Sequence, residues 1–410
     1  MNDFRPNRVV DIDTLMMSGI ALAIDSLTNG RALDSFVDHV IEIESSGSIP
    51  ALDRRCVTFA GTSLDGVFER GWQPVELLHV AMRRLDKPCS RMLVGLLGAH
   101  SLRTRALSAA PAGWRAQLIE LDIDPGADVV RSRRTNTADS RVFWSSLFRV
   151  LAVLRRLPTL TVIAPPPSRW GIGPVEAGPQ HADVKVLNKI RGLLSKAEST
   201  TFGAEAEAFS SKAQELMTRY AIDNAVLAST EGRELGADVV TRRLTLDNPY
   251  ADAKYHLLAG VAVSNGAKTV FYSKLGLVSV TGMAVDLDLC ELLYTSLLVQ
   301  SSHALSEAGT DRHSRSRGFR RAFLLGYAWR ISERLAEAKV RADQSAGQTY
   351  GSSLVPILAE RDKAVSSVFR DLYPDLRSTR VSVSDRSGLG RGRAAAELAD
   401  LTGGRERLDK

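Results

Sequence analysis

Residues 185–223 read KVLNKIRGLLSKAESTTFGAEAEAFSSKAQELMTRYAID, and no other stretch constrains the fold as strongly. In its first half Leu187, Ile190, Leu194 and Ala197 recur at i, i+3, i+7 and i+10 with Leu193 beside them, while Lys185, Lys189, Arg191 and Lys196 fall mostly off that stripe. That spacing predicts an amphipathic helix with one apolar face and a basic remainder. Residues 198–203 then supply hydroxyls able to cap a helix start, and Glu205 and Glu207 follow where the helix dipole favours negative charge. Ala206, Phe209, Ala213, Leu216, Met217 and Tyr220 resume the helical period, so a second arm folds back on the first as an antiparallel pair. Two such helices bury too little surface to stand alone, and the hairpin must dock on something else.

The motifs in this segment are Lys189-Ile190-Arg191, Leu193-Leu194, Ala197-Glu198-Ser199-Thr200, Glu205-Ala206-Glu207 and Lys212-Ala213-Gln214-Glu215-Leu216-Met217. Together they resemble, without a gap, the family catalogued as domain of unknown function 2786. One position departs from it: Gly203 stands where relatives often carry proline, which leaves the start of the second arm less constrained. Actinobacterial proteins of this layout also look alike at Gly71-Trp72-Gln73-Pro74, Asp247-Asn248-Pro249-Tyr250, Ser316-Arg317-Gly318-Phe319-Arg320 and Gly392-Arg393-Ala394-Ala395-Ala396, so the resemblance is expected over the full chain. It implies an architecture and carries no activity.

At 410 residues the chain exceeds what one core normally supports, so two or three domains are expected. Apolar and charged fractions of 44% and 24% argue against overall disorder. A formal charge of +6 with a pI near 9.3 points to an anionic partner, DNA or RNA, against the plainer reading of a soluble basic protein. Cys56, Cys89 and Cys290 are scattered, with no ligand spacing, so neither a disulfide scaffold nor a structural metal is expected and a reducing compartment fits. The N-terminal residues lack the basic-then-apolar layout of a secretory signal, and no apolar run approaches a membrane span. A cytoplasmic protein without cofactor or membrane contact is the expectation.

The periodicity predicts a predominantly helical α+β chain. An N-terminal helical domain covers 1–164, a Pro/Gly-rich linker 165–180, the helical hairpin 181–228, an α+β C-terminal domain 229–402, and a tail 403–410. In the first domain only 54–59 looks strand-like; Trp72, Trp114 and Trp144 sit in helical apolar patterns and are expected in the core rather than as base-stacking platforms. In the last, strands near 239–246, 269–272, 278–281 and 380–383 are expected among helices at 250–265, 286–308, 318–341 and 354–372, with a Gly-rich basic turn leading into a helix at 394–401. This gives a small antiparallel sheet flanked by helices. Arginines also gather at 131, 133, 134, 149, 155 and 156, a zone most simply read as a solvated face.

Between residues 312 and 341 stand nine basic side chains, Arg312, Arg315, Arg317, Arg320, Arg321, Arg330, Arg334, Lys339 and Arg341, against Glu333 and Glu337 alone, a local net charge of +7. The run HSRSRGFRR at 313–321 places Ser and Gly beside arginines at a helix start, where backbone N–H groups and guanidinium forks could both meet phosphate. Arg391 and Arg393, in the second Gly-rich basic stretch at 387–393, extend the expected nucleic-acid-binding set. The alternative is a solvated face paired with acids such as Asp286 and Glu291. For an enzyme there is no HExxH, GxSxG or adjacent Gly-Lys phosphate loop; a hydrolase-type site of Asp286, Asp288 and Glu291 with His303 or His256, as a metal site or an acid/base pair, is the enzymatic alternative. A protein-interaction adaptor docking a partner through the hairpin is the third reading; Lys196, Glu198, Lys212 and Glu215 flank its turn, where a functional role and ion pairs between the arms explain them equally well.

Overall fold

Apolar residues at helical spacing dictate most elements of this protein. The computed structural model describes residues 11–25, 31–46, 49–126, 129–130, 137–171, 183–199, 203–232, 235–309, 312–376, 383 and 385–398. Arg131, Arg133, Arg134, Gly173, Pro174, Gly178, Pro179, most of the expected strand at 380–383 and the tail at 403–410 lie outside them. Two compact units emerge, Met1–Val175 and Glu176–Lys410.

The first unit consists of helices α1 (Ile12–Asp25), α2 (Arg31–Ser46), α3 (Ile49–Glu69), α4 (Pro74–Arg84), α5 (Lys87–Thr104), α6 (Ala106–Ala109), α7 (Ala112–Glu120) and α8 (Thr137–Arg156). Residues 54–59, expected as a strand, lie inside α3. Leu52, Cys56, Ala60 and Leu64 are buried at every fourth position, and that period prevails over the β-branched pair Val57 and Thr58. Trp72, Trp114 and Trp144 are buried in this core, with the Trp72 indole donating to the Pro158 carbonyl at 2.7 Å and that of Trp144 to Glu44 Oε2 at 3.1 Å. α4 starts on Pro74 behind a capping box in which the Gln73 N–H donates to Glu76 Oε2 at 2.9 Å.

The second unit opens with the hairpin, α9 (Val184–Ser199) and α10 (Gly203–Thr230). β1 (Val239–Thr245), α11 (Ala251–Ser264), β2 (Lys268–Tyr272), β3 (Leu277–Met283), α12 (Ala284–Glu307), α13 (Arg317–Tyr350), α14 (Leu354–Leu372) and α15 (Arg386–Leu398) follow. The sheet is antiparallel in the order β1-β3-β2, and every residue of the central β3 is buried. Ile190, Leu194, Ala213 and Met217 of the hairpin join one core with Val261 of α11, Val278 of β3, Leu293 of α12 and Ile331 of α13. The hairpin thus docks on the helices and sheet that follow it.

The Gly-rich stretch at 387–393, expected as a turn, is the body of α15. Two of its three glycines face α13: a Cβ on Gly388 would stand 2.6 Å from the Phe319 carbonyl oxygen, and one on Gly392 would overlap that of Phe323. Glycine removes the side chains that would hold the two helices apart, and close packing outweighs its weak helix propensity.

Candidate nucleic-acid interface

The turn before α13 and the start of α15 come together through side chains with local polar tasks. Ser316 caps α13, its Oγ accepting the Phe319 N–H at 3.2 Å, so one backbone donor expected to meet phosphate is already taken. Asp385 plays the same part for α15, accepting the N–H groups of Ser387 and Gly388 at 3.0 and 2.9 Å. Those N–H donors lower the Asp385 carboxyl below its ordinary value of 3.8. His313 joins the two, its Nε2 lying 3.0 Å from Ser387 Oγ and 3.3 Å from Asp385 Oδ2, with its ring edge-on to buried Phe319. Arg391 lies over the same Phe319 ring, 5.7 Å from its centre, and donates to the Ala308 carbonyl at 2.6 Å.

Around this junction Arg312, Arg315, Arg317 and Arg391 are exposed and Arg320 is half-buried. Among the described residues none of the five contacts a carboxylate, and neither does exposed Arg386, which the sequence reading did not single out. Its position in the first turn of α15 became apparent only with the fold.

The other arginines of the region are committed elsewhere. Arg321, expected at the interface, directs Nε and Nη2 to Asp252 Oδ2 at 2.7 and 2.6 Å. Arg393, expected there as well, forms a two-pronged pair with Glu333 at 2.9 and 2.8 Å. Arg330 contacts Glu397, Glu333 and Glu337, and Arg334, buried on α13, donates to the Ala396 and Glu397 carbonyls at the end of α15. Carboxylates and a helix terminus absorb this half of the cationic run, so the charge is divided between an inner clamp and an outer surface.

Ser387, His313 and Asp385 share the composition of a nucleophilic triad but not its wiring. A relay needs the imidazole between acid and hydroxyl, each on its own ring nitrogen. Here one nitrogen faces both partners and Ser387 Oγ donates directly to Asp385 Oδ1 at 2.9 Å, which describes a capping network. The acidic set on α12 is divided. Asp286 pairs with Arg361 of α14, whereas Asp288 pairs with Arg242 of β1 at 2.6 Å and Glu291 approaches the same arginine at 3.8 Å. His303 is exposed farther along the same helix, roughly 18 Å from Glu291. His256, on α11, lies among Tyr255 and Trp329, and burial lowers its pKa. Among the described residues no three His, Cys, Asp or Glu side chains form a group able to hold a metal ion.

With this geometry in place, comparison gives one finding: residues 185–224 match the family described as "Protein of unknown function (DUF2786)". That segment, about a tenth of the chain, is similar to the DUF2786 family. The match covers the hairpin alone, and no curated protein and no solved structure matches the chain. In the DUF2786 hairpin Lys196 lies over the Phe209 ring at 5.5 Å, which ties the arms, whereas Lys212 and Glu215 pair within one arm at 2.8 Å rather than between arms. Its apolar stripe is spent on the core: Ile190, Leu194, Ala213 and Met217 are buried, so that stripe is not open to a partner. On α9 the matched segment exposes Lys185, Lys189, Arg191 and Lys196. Among the described residues no helix is long and apolar enough to cross a membrane.

Proposed function

We propose that the protein binds nucleic acid by contacting its phosphates with Arg312, Arg315, Arg317, Arg320 and Arg391, without a catalytic step. One observation carries the reading: the contact between His313 and Ser387, 74 residues apart in sequence, joins two arginine-bearing segments while their outer guanidinium groups keep no carboxylate among the described residues. Guanidinium forks match phosphate oxygens bidentately, and several on one surface make affinity depend on counterion release. The buried apolar stripe of the hairpin argues against the adaptor alternative, and the separation of Asp286 and His303 from Asp288 and Glu291 argues against the hydrolase alternative.

Fluorescence anisotropy with labelled DNA and RNA oligonucleotides, single- and double-stranded, over a range of salt concentrations tests the proposal. Binding should weaken steeply with salt, and the double variant Arg315→Ala/Arg317→Ala should lower the slope by about one for each phosphate contact removed. Arg393→Ala, which breaks a pair with Glu333, should leave that slope unchanged. Absence of binding at low salt, or a slope indifferent to the double variant, rejects the proposal.

A further inference from the structure

Away from the arginine surface, α10, the end of α11, the start of α12, α13 and α14 enclose a cleft of about 380 Å³, within the range of small-molecule sites. An ion pair lies in its wall: Asp286 is 2% exposed and Arg361 15%. Burial pulls the Arg361 guanidinium down to about 10, which still leaves it charged at neutral pH. A guanidinium carries five N–H donors, and the one partner that Arg361 has among the described residues is Asp286. Asp286 Oδ2 makes this charge contact yet receives no well-angled hydrogen bond there. Burying such a pair seldom improves stability over apolar packing, so its presence beside an open cleft calls for a use.

The remaining lining describes that use. Lys339 and Asp343 pair with each other at 3.7 Å, which leaves exposed Asp362 without a cationic partner among the described residues. With Asp286, Asp343 and Asp362 against Arg361 and Lys339, the cleft has a net charge of −1. A simple anion would be drawn to Arg361 but repelled by the surplus carboxylate, and a simple cation would meet the reverse. Asn265, on the same wall, is held by buried Gln214, whose Nε2 donates to Asn265 Oδ1 at 3.3 Å. Gln214 and the wall residue Thr218 both lie in the segment matched to DUF2786, so the family hairpin builds part of this cleft.

We infer that the cleft binds a small zwitterion of the amino-acid type, its carboxylate on the spare donors of Arg361 and its ammonium on Asp362. Isothermal titration of the full chain with the free protein amino acids, each compared with its deaminated acid and its decarboxylated amine, tests this. At least one amino acid should bind saturably, with both half-molecules weaker by about tenfold or more, the loss expected for one charged contact. Val263 lines the cleft and is 65% exposed, so Val263→Trp should block the site without disturbing the core. Asp362→Asn should weaken binding about tenfold at an unchanged Tm. Arg361 is kept in place, because its loss would strand Asp286 in the interior. No amino acid binding at millimolar concentration, binding unaffected by Val263→Trp, or a deaminated acid that binds as tightly as its parent would each overturn the inference.

Discussion

At Gly388 a Cβ would stand 2.6 Å from the Phe319 carbonyl oxygen, and at Gly392 and Gly326 one would overlap the carbonyls of Phe323 and Leu389. Backbone cannot step aside as a side chain can, so an added methyl must push α15 off α13. Gly392→Ala should therefore cost about 3 kcal/mol, the upper range for overpacking. Gly390 is exposed on the same helix with nothing within 4 Å of its absent Cβ. Gly390→Ala should be neutral or stabilising by up to ~1 kcal/mol through helix propensity alone. Urea denaturation of the two variants separates the effects; equal stabilities would mean that the glycines do not set the spacing. These residues also explain why only the second half of α15, within the helix expected at 394–401, was legible as a helix. Glycine, arginine and serine in alternation read locally as a turn, and only the opposing face of α13 reveals why glycine is there. Residues 54–59 were misread for the opposite reason, since a window of six is too short to tell an apolar strand from one face of a helix.

The contact between α13 and α15 rests on a charge clamp as well as on glycines. Arg393 and Arg330 hold Glu333 below its ordinary value of 4.5, and Arg330 does the same for Glu397. Carboxyls depressed in the folded state contribute stability that is fully present above the unfolded value of 4.5 and is lost as pH falls through the folded one. Each pair is partly exposed and worth no more than about 1 kcal/mol, so the expected outcome is loosening of α15 rather than global unfolding. Hydrogen exchange should show α15 amides losing protection as pH drops below about 4.5, at rates corrected for intrinsic chemistry. Arg330→Leu should weaken protection at neutral pH and flatten the acid dependence, and protection that ignores both changes would discount the clamp. None of this pairing was readable along the chain. Arg330 meets Glu397 across 67 residues, Arg393 meets Glu333 across 60, and Arg321 meets Asp252 across 69. A run of arginines announces its charge but not which carboxylates the fold returns to it, whereas Arg312, Arg315 and Arg317 keep the exposure their sequence suggests because they flank a turn.

Across the whole molecule, the hairpin is the most legible element and yet depends most on what the sequence conceals. Its helical period is explicit, but the surfaces that cover Ile190, Leu194, Ala213 and Met217 come from α11, β3, α12 and α13, long after it in the chain. A helix that donates its apolar face to a distant core owes little stability to its own propensity. Residues 183–230 as an isolated peptide should therefore show little helical circular dichroism. Residues 176–410, which contain the covering elements, should unfold in one cooperative transition with the hairpin included. A substitution such as Met217→Ala should lower that single transition by about 2–5 kcal/mol rather than melt the hairpin by itself, because the cavity would open in a core shared by all these elements. A peptide that folds alone, or a separate early melting of the hairpin in the longer chain, would contradict this account. The hairpin contributes Thr218 to one wall of the cleft and packs on α13, whose first turn carries part of the arginine surface, so both proposals require it folded into this unit.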